Sequence, residues 1–153
     1  AHIPETYINS ERLRLEAYRK LAEARGEEAL RQVADEMVDR FGPLPTEVEF
    51  LMEVARLRDQ ARSVGVSDIL SQGNRLKFHP VELPDSKQVR LKRLYPGATY
   101  RAAAKTVQVP MPRESKAINS PSLRDTELLQ WVSHFLSDMF DAPDASGVFS
   151  FKG

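Results

Sequence analysis

Asp35-Glu36-Met37-Val38-Asp39-Arg40-Phe41-Gly42-Pro43-Leu44-Pro45 ends one helix and turns a fixed corner. Upstream of the corner, Leu30, Val33, Ala34, Met37, Val38 and Phe41 recur at i, i+3, i+4 spacing, which lines up one apolar stripe for a core. The stripe predicts that Phe41 is structural. Gly42 is suited to the left-handed conformation that closes a helix, and Pro43 and Pro45 lack the N–H needed to continue it. On the opposite side sit Glu36, Asp39 and Arg40, with Glu36 and Arg40 four apart in the favourable order. The sequence thus sets a small charged patch beside a rigid stop.

Working outward, residues 1–8 read as an extended lead-in, since Pro4 disfavours helix at Ile3 and Tyr7-Ile8 is a β-prone pair. Asn9 or Ser10 is positioned to cap a first helix reaching about Arg25, with Leu13, Ala17, Tyr18, Leu21 and Ala24 inward and Gly26 as its stop. So short a break predicts a helical hairpin with the next helix. Past Pro45, Thr46 and Glu49 have capping-box spacing, and a third helix is expected to run to Val64, stopped by Gly65.

From Val66 the periodicity changes. Ser71-Gln72-Gly73-Asn74 is a turn signal, and Leu76 and Phe78 alternate with Arg75 and Lys77 as in a half-buried strand that Pro80 limits. Asp85 and Gln88 are spaced to cap a short helix, Ser86 to Tyr95, before Pro96-Gly97. Two strands are expected over 100–103 and 106–109, then a loop, then a helix capped by Ser122 or Asp125 and running to about Phe140. The fold class is α+β: a three-helix segment followed by a small, mainly antiparallel sheet of at most three or four strands with further helices. We expect one domain over 1–140 and a mobile tail over 141–153.

At 153 residues the chain is long enough for a true core, burying roughly 70% of the surface an unfolded chain of that size exposes. Its 22 acidic and 22 basic side chains cancel, which argues against a dedicated nucleic-acid or membrane binder. The global balance hides a local asymmetry: residues 1–72 hold 14 acidic and 10 basic side chains, residues 73–153 hold 8 and 12, so two surfaces of opposite sign are expected. Without cysteine there is no disulfide or thiolate site, consistent with a cytoplasmic location, and no apolar run approaches the ~20 residues of a membrane span. The chain begins with Ala1, so we expect an excised or processed piece of a larger protein.

No catalytic constellation is present in the sequence. His2, His79 and His134 stand apart, no glycine-rich phosphate loop occurs, and carboxylate pairs such as Asp35 and Asp39 lie beside Arg31 and Arg40 as on an ordinary solvated helix face. No catalytic residue, cofactor or metal is expected. One run points elsewhere: Lys87, Arg90, Lys92, Arg93, Arg101, Lys105 and Arg113 follow one another with no acid between them and with Tyr95 and Tyr100 interleaved. Such a run suits a phosphate backbone with stacked bases, although Val89, Leu94 and Tyr95 also fit a helix showing its cations outward and its apolar side to a core.

The residues Glu36 to Pro45, with Ile3-Pro4, Tyr7-Ile8, Arg12-Leu13, Tyr18-Arg19-Lys20-Leu21-Ala22, Ala55-Arg56-Leu57-Arg58, Ala61 and Gly65-Val66 around them, resemble the C-terminal domain of bacterial transcription-repair coupling factors. The resemblance is carried by the first half of the chain. It implies a non-catalytic regulatory domain cut from an ATP-driven DNA translocase that removes stalled RNA polymerase and recruits excision repair. It also implies that Glu36, Asp39 and Arg40 contact the UvrB-like, UvrA-binding module of the same protein. The domain would then mask that module until the motor engages polymerase and DNA. UvrA, polymerase and DNA are indirect partners in this reading, and no membrane is involved. The competing readings are a nucleic-acid-binding accessory domain using Lys87, Arg90, Lys92, Arg93 and Arg101, and a purely structural cap on the motor.

Overall fold

The structure, a computed structural model, describes residues 2–140. The chain forms two compact units, the first ending at Asp59 and the second beginning at Gln60. Three helices, α1 (Glu11–Glu23), α2 (Gly26–Phe41) and α3 (Thr46–Ser63), account for most of the first unit, and α3 runs on into the second. Buried Ala17 of α1 shares a cluster with Met37 of α2 and Val48 of α3, while Leu21, Leu30 and Met52 share the next. Residue numbers rise along α1 and α3 as they fall along α2, so each neighbouring pair is antiparallel. The expected hairpin is present.

The lead-in departs from its β-prone reading. Both Tyr7 and Ile8 N–H groups return to the Pro4 carbonyl, at 3.0 and 3.1 Å, which closes a turn and buries Ile3 and Ile8 almost completely. Tyr18 Oη accepts from the Ile3 N–H at 2.6 Å, and Arg14 donates to the Ile8 carbonyl at 2.8 Å. Tertiary packing overrides the local strand preference here. Ser10 is the cap of α1, its hydroxyl accepting from the Leu13 N–H at 3.3 Å. At α3 the expected capping box does not form as read: Thr46 is the first helical residue, and the Pro45 carbonyl takes the cap position, accepting from Val48 and Glu49. α3 closes with the Val66 N–H on Ala61 O and the Gly65 N–H on Arg62 O, the paired bonds of a Schellman motif with glycine at positive φ.

The second unit holds β1 (Asp68–Gln72), β2 (Arg75–His79), α4 (Asp85–Leu94), β3 (Thr99–Arg101), β4 (Thr106–Pro110) and α5 (Asp125–Met139). The strands form one antiparallel sheet in the order β1-β2-β4-β3. Leu76, Phe78, Val107 and Val109 are buried on one face, where Phe135 of α5 lies 4.6 Å from the Phe78 ring. Tyr95, at the end of α4, packs edge-on against Phe135 and Trp131. Two helices and a sheet thus share one aromatic core.

Three local expectations need correction. β1 has no counterpart in the sequence reading, which placed Ser71 and Gln72 in a turn; the turn is only Gly73-Asn74, between the paired Gln72 and Arg75. Asp85 does not cap α4: Pro84 is at the cap, and Gln88 Nε2 reaches back to the Leu83 carbonyl at 3.0 Å. α5 starts at Asp125 with Arg124 at its cap and no side-chain bond, so neither Ser122 nor Asp125 plays that part. The tail expected over 141–153 lies outside the described residues.

Candidate functional site

The C-terminal turn of α2 is fixed from three sides. Gly42 follows it with φ 97° and ψ −174°. This is not the left-handed helical region expected of a stop but the extended mirror region, which essentially only glycine occupies. Beside it, the Tyr7 hydroxyl donates to the Gly42 carbonyl at 2.8 Å, with the Met37 carbonyl farther off at 3.2 Å. The Tyr7 ring meets Phe41 edge to face at 5.8 Å. Burial raises the Tyr7 pKa, so this donor stays protonated. Phe41, Pro43 and Pro45 complete the corner. Met37 is buried and Phe41 half-buried, whereas Val38, expected in the stripe, is 44% exposed because it lies 100° round the helix from Met37.

On this corner all three predicted residues are exposed, and the structure brings them together as one surface of α2. They are not equivalent. Glu36 accepts from Lys20 Nζ of α1 through both oxygens, at 3.1 and 2.9 Å, and Arg40 approaches it at 3.6 Å. The Lys20 hydrogen bond foremost, joined by the charges of Lys20 and Arg40, lowers the Glu36 pKa against an opposing desolvation that outweighs either charge alone. Arg40 also lies over the Phe41 ring, 5.1 Å from its centre. Arg40 thus has two neighbours, the Glu36 carboxylate and the Phe41 ring, while its side chain stays accessible to solvent. Asp39 has no ion-pair partner among the described residues. It also sits where the helix dipole disfavours an anion. A patch so arranged offers one accessible cation and one carboxylate without an ion-pair partner among the described residues, with Glu36 and Lys20 paired beside them.

Sequence reasoning missed Lys20 and Tyr7 as parts of this site. Lys20 lies 16 residues from Glu36, and Tyr7 lies 35 from Gly42, so no helical spacing links them.

The basic run does not stay together. Lys87, Arg90, Lys92 and Arg93 lie on α4, in the helical layer that covers the inner face of the sheet, with Lys92 and Arg93 exposed. Arg101 is on β3, opposite Thr106, and points to the other face. Lys105 is tied to Glu82 at 3.0 Å, and Arg113 donates to the Ile118 carbonyl. The interleaved tyrosines are engaged as well. Tyr100 Oη accepts from the Leu83 N–H at 3.1 Å. Tyr95 donates to Asp138 at 2.6 Å, and burial together with that carboxylate pushes its pKa far up. Among the described residues no three His, Asp or Glu side chains gather to hold a metal, and no helix is long and apolar enough to cross a membrane.

A family model described as the TRCF domain matches residues 1–91, the span containing this corner. The transcription-repair-coupling factor of Mycobacterium tuberculosis (strain CDC 1551 / Oshkosh) is 46% identical over 144 residues, 94% of this chain and 12% of that protein. Its namesake in Escherichia coli (strain K12) is 28% identical over 137 residues, 90% of this chain and 11% of that one. The chain thus spans only about an eighth of the length of these relatives. A solved structure, the crystal structure of the C-terminal domain of transcription-repair coupling factor, matches with a TM-score of 0.69 at 18% identity, covering 91% of this chain and 86% of that chain. At that identity the likeness speaks for the fold alone.

Proposed function

The chain belongs to the TRCF domain family, and from that premise we propose that it is the regulatory C-terminal domain of a transcription-repair coupling factor, docking on the UvrA-binding module of its own protein. Docking masks the recruiting surface, and the mask lifts when the translocase engages stalled RNA polymerase and DNA. The observation that carries this reading is the pair Asp39 and Arg40. Both are exposed at a helix end closed by Gly42, Arg40 lies beside Glu36 and over the Phe41 ring, and Asp39 has no ion-pair partner among the described residues.

A charged contact of this kind suits a reversible clamp, because it sets register and partner choice without the large apolar surface of a permanent interface. Lys20 and Glu36 act through Arg40 as positioning residues. The test is a titration of this chain against the separately produced UvrA-binding module at low and high salt. Asp39→Ala with Arg40→Ala should weaken binding about tenfold or more, equivalent to about 1.4 kcal/mol, with most of the salt dependence removed. Unchanged affinity in a folded double variant would take these residues out of the interface.

A further inference from the structure

The strand register sorts the sheet into two unlike faces. Ile69, Leu76, Phe78, Val107 and Tyr100 stand on the face toward α5. The residues one step along each strand stand on the other. Lys77 is paired across to Leu70 and Gln108, Gln108 to Thr99, and Arg101 to Thr106. Arg75 lies two residues from Lys77 on the same side. Its guanidinium is laid across β4 by bonds to Gln108 Oε1 at 3.2 Å and the Gly97 carbonyl at 2.8 Å. The carboxylate on this face is Asp68, on the edge strand, and it faces His79 at 3.7 Å.

We infer that the outer face of this sheet, through Arg75, Lys77 and Arg101, binds the phosphate backbone of duplex DNA. Lys77 and Arg101 stand two strands apart, about 10 Å across the sheet. Gln108 stands on the strand between them, and Thr99 stands two residues from Arg101 on its own strand; their amide and hydroxyl are hydrogen-bonding groups of the kind that meet phosphate oxygens. Charge complementarity favours a polyanion over a protein surface, because a protein interface needs a desolvated apolar centre. This face offers Leu70, 49% exposed, only at its edge. A single strand is disfavoured because the aromatic residue of β3, Tyr100, faces the opposite side and leaves no stacking platform. The surface differs from the linear basic run, sharing only Arg101 with it, and it is independent of the α2 corner.

The test is fluorescence anisotropy of a labelled, mixed-sequence DNA duplex with the whole chain. Three neutralised phosphates predict that affinity falls about 40-fold between about 50 and 200 mM salt. Lys77→Glu with Arg101→Glu should cut binding at least tenfold, whereas Lys92→Glu with Arg93→Glu, the same charge change on the helical layer, should change it less than about threefold. A thermal melt checks that each variant folds, and Lys77→Gln with Arg101→Gln replaces the first pair if it does not. Absence of binding at the low salt, equal loss in both double variants, or tighter binding to the matching single strand would each overturn the proposal.

Discussion

Gly42 is the residue on which the α2 corner turns. An added Cβ there would meet nothing within 4 Å, so the cost of replacement is conformational and not steric. Gly42→Ala should lose about 1–3 kcal/mol in urea denaturation, the usual cost of forcing a side chain into that backbone region. An unchanged midpoint would show that the corner relaxes. Tyr7→Phe removes the hydroxyl from the Gly42 carbonyl and should cost about 0.5–1.5 kcal/mol. Asp39 makes the opposite case: with no partner among the described residues and an unfavourable place at the helix C-terminus, Asp39→Ala should melt no lower than the parent chain. Loss of stability there would reveal a structural role and weaken the docking proposal. Glu36 adds a pH signature. Lys20 and Arg40 lower its pKa in the fold, so its contribution is present above the ordinary carboxylate range and fades as pH falls through the depressed value. Below pH ~4.5 the parent chain should therefore lose stability faster than Glu36→Gln. Parallel acid curves would mean that the Lys20 bridge contributes nothing in solution.

At the level of elements, α5 holds the second unit's core together. Phe135 is fully buried, stacks with Trp131 at 5.6 Å, and meets Phe78 and Tyr95 as well. Phe135→Ala should cost about 3–5 kcal/mol by thermal or urea melting, while loss under about 1 kcal/mol would mean that the sheet does not depend on α5. The five helices and three of the four strands were legible because their apolar residues keep period: Leu30, Val33, Met37 and Phe41 at helical spacing, Leu76 and Phe78 at strand spacing. β1 was not, because four of its five residues are exposed and it pairs through backbone bonds that leave no alternation in the sequence. Helix caps were misread for a related reason. Thr46, Asp85 and Asp125 have the right chemistry, but proline carbonyls at 45 and 84 and the backbone of Arg124 hold the cap positions instead. The α2 patch was legible in Glu36, Asp39 and Arg40, which share one helix face, whereas Lys20 and Tyr7 come from elements that meet it only in three dimensions.

For the molecule as a whole, a tethered domain that docks and releases requires a modest free-energy gap, since every 1.4 kcal/mol shifts the closed population tenfold. The charge division along the chain fits two separate tasks, an acidic first half carrying the α2 corner and a basic second half carrying the outer sheet face. Each half can be disabled by a double variant that leaves the other intact, which keeps the two proposals separable. The most direct test of masking is a competition measurement: UvrA binding to the isolated UvrA-binding module, with this chain added in increasing amounts. Masking predicts that the parent chain displaces UvrA while Asp39→Ala with Arg40→Ala does not. Undiminished UvrA binding on a module saturated with the parent chain would contradict it.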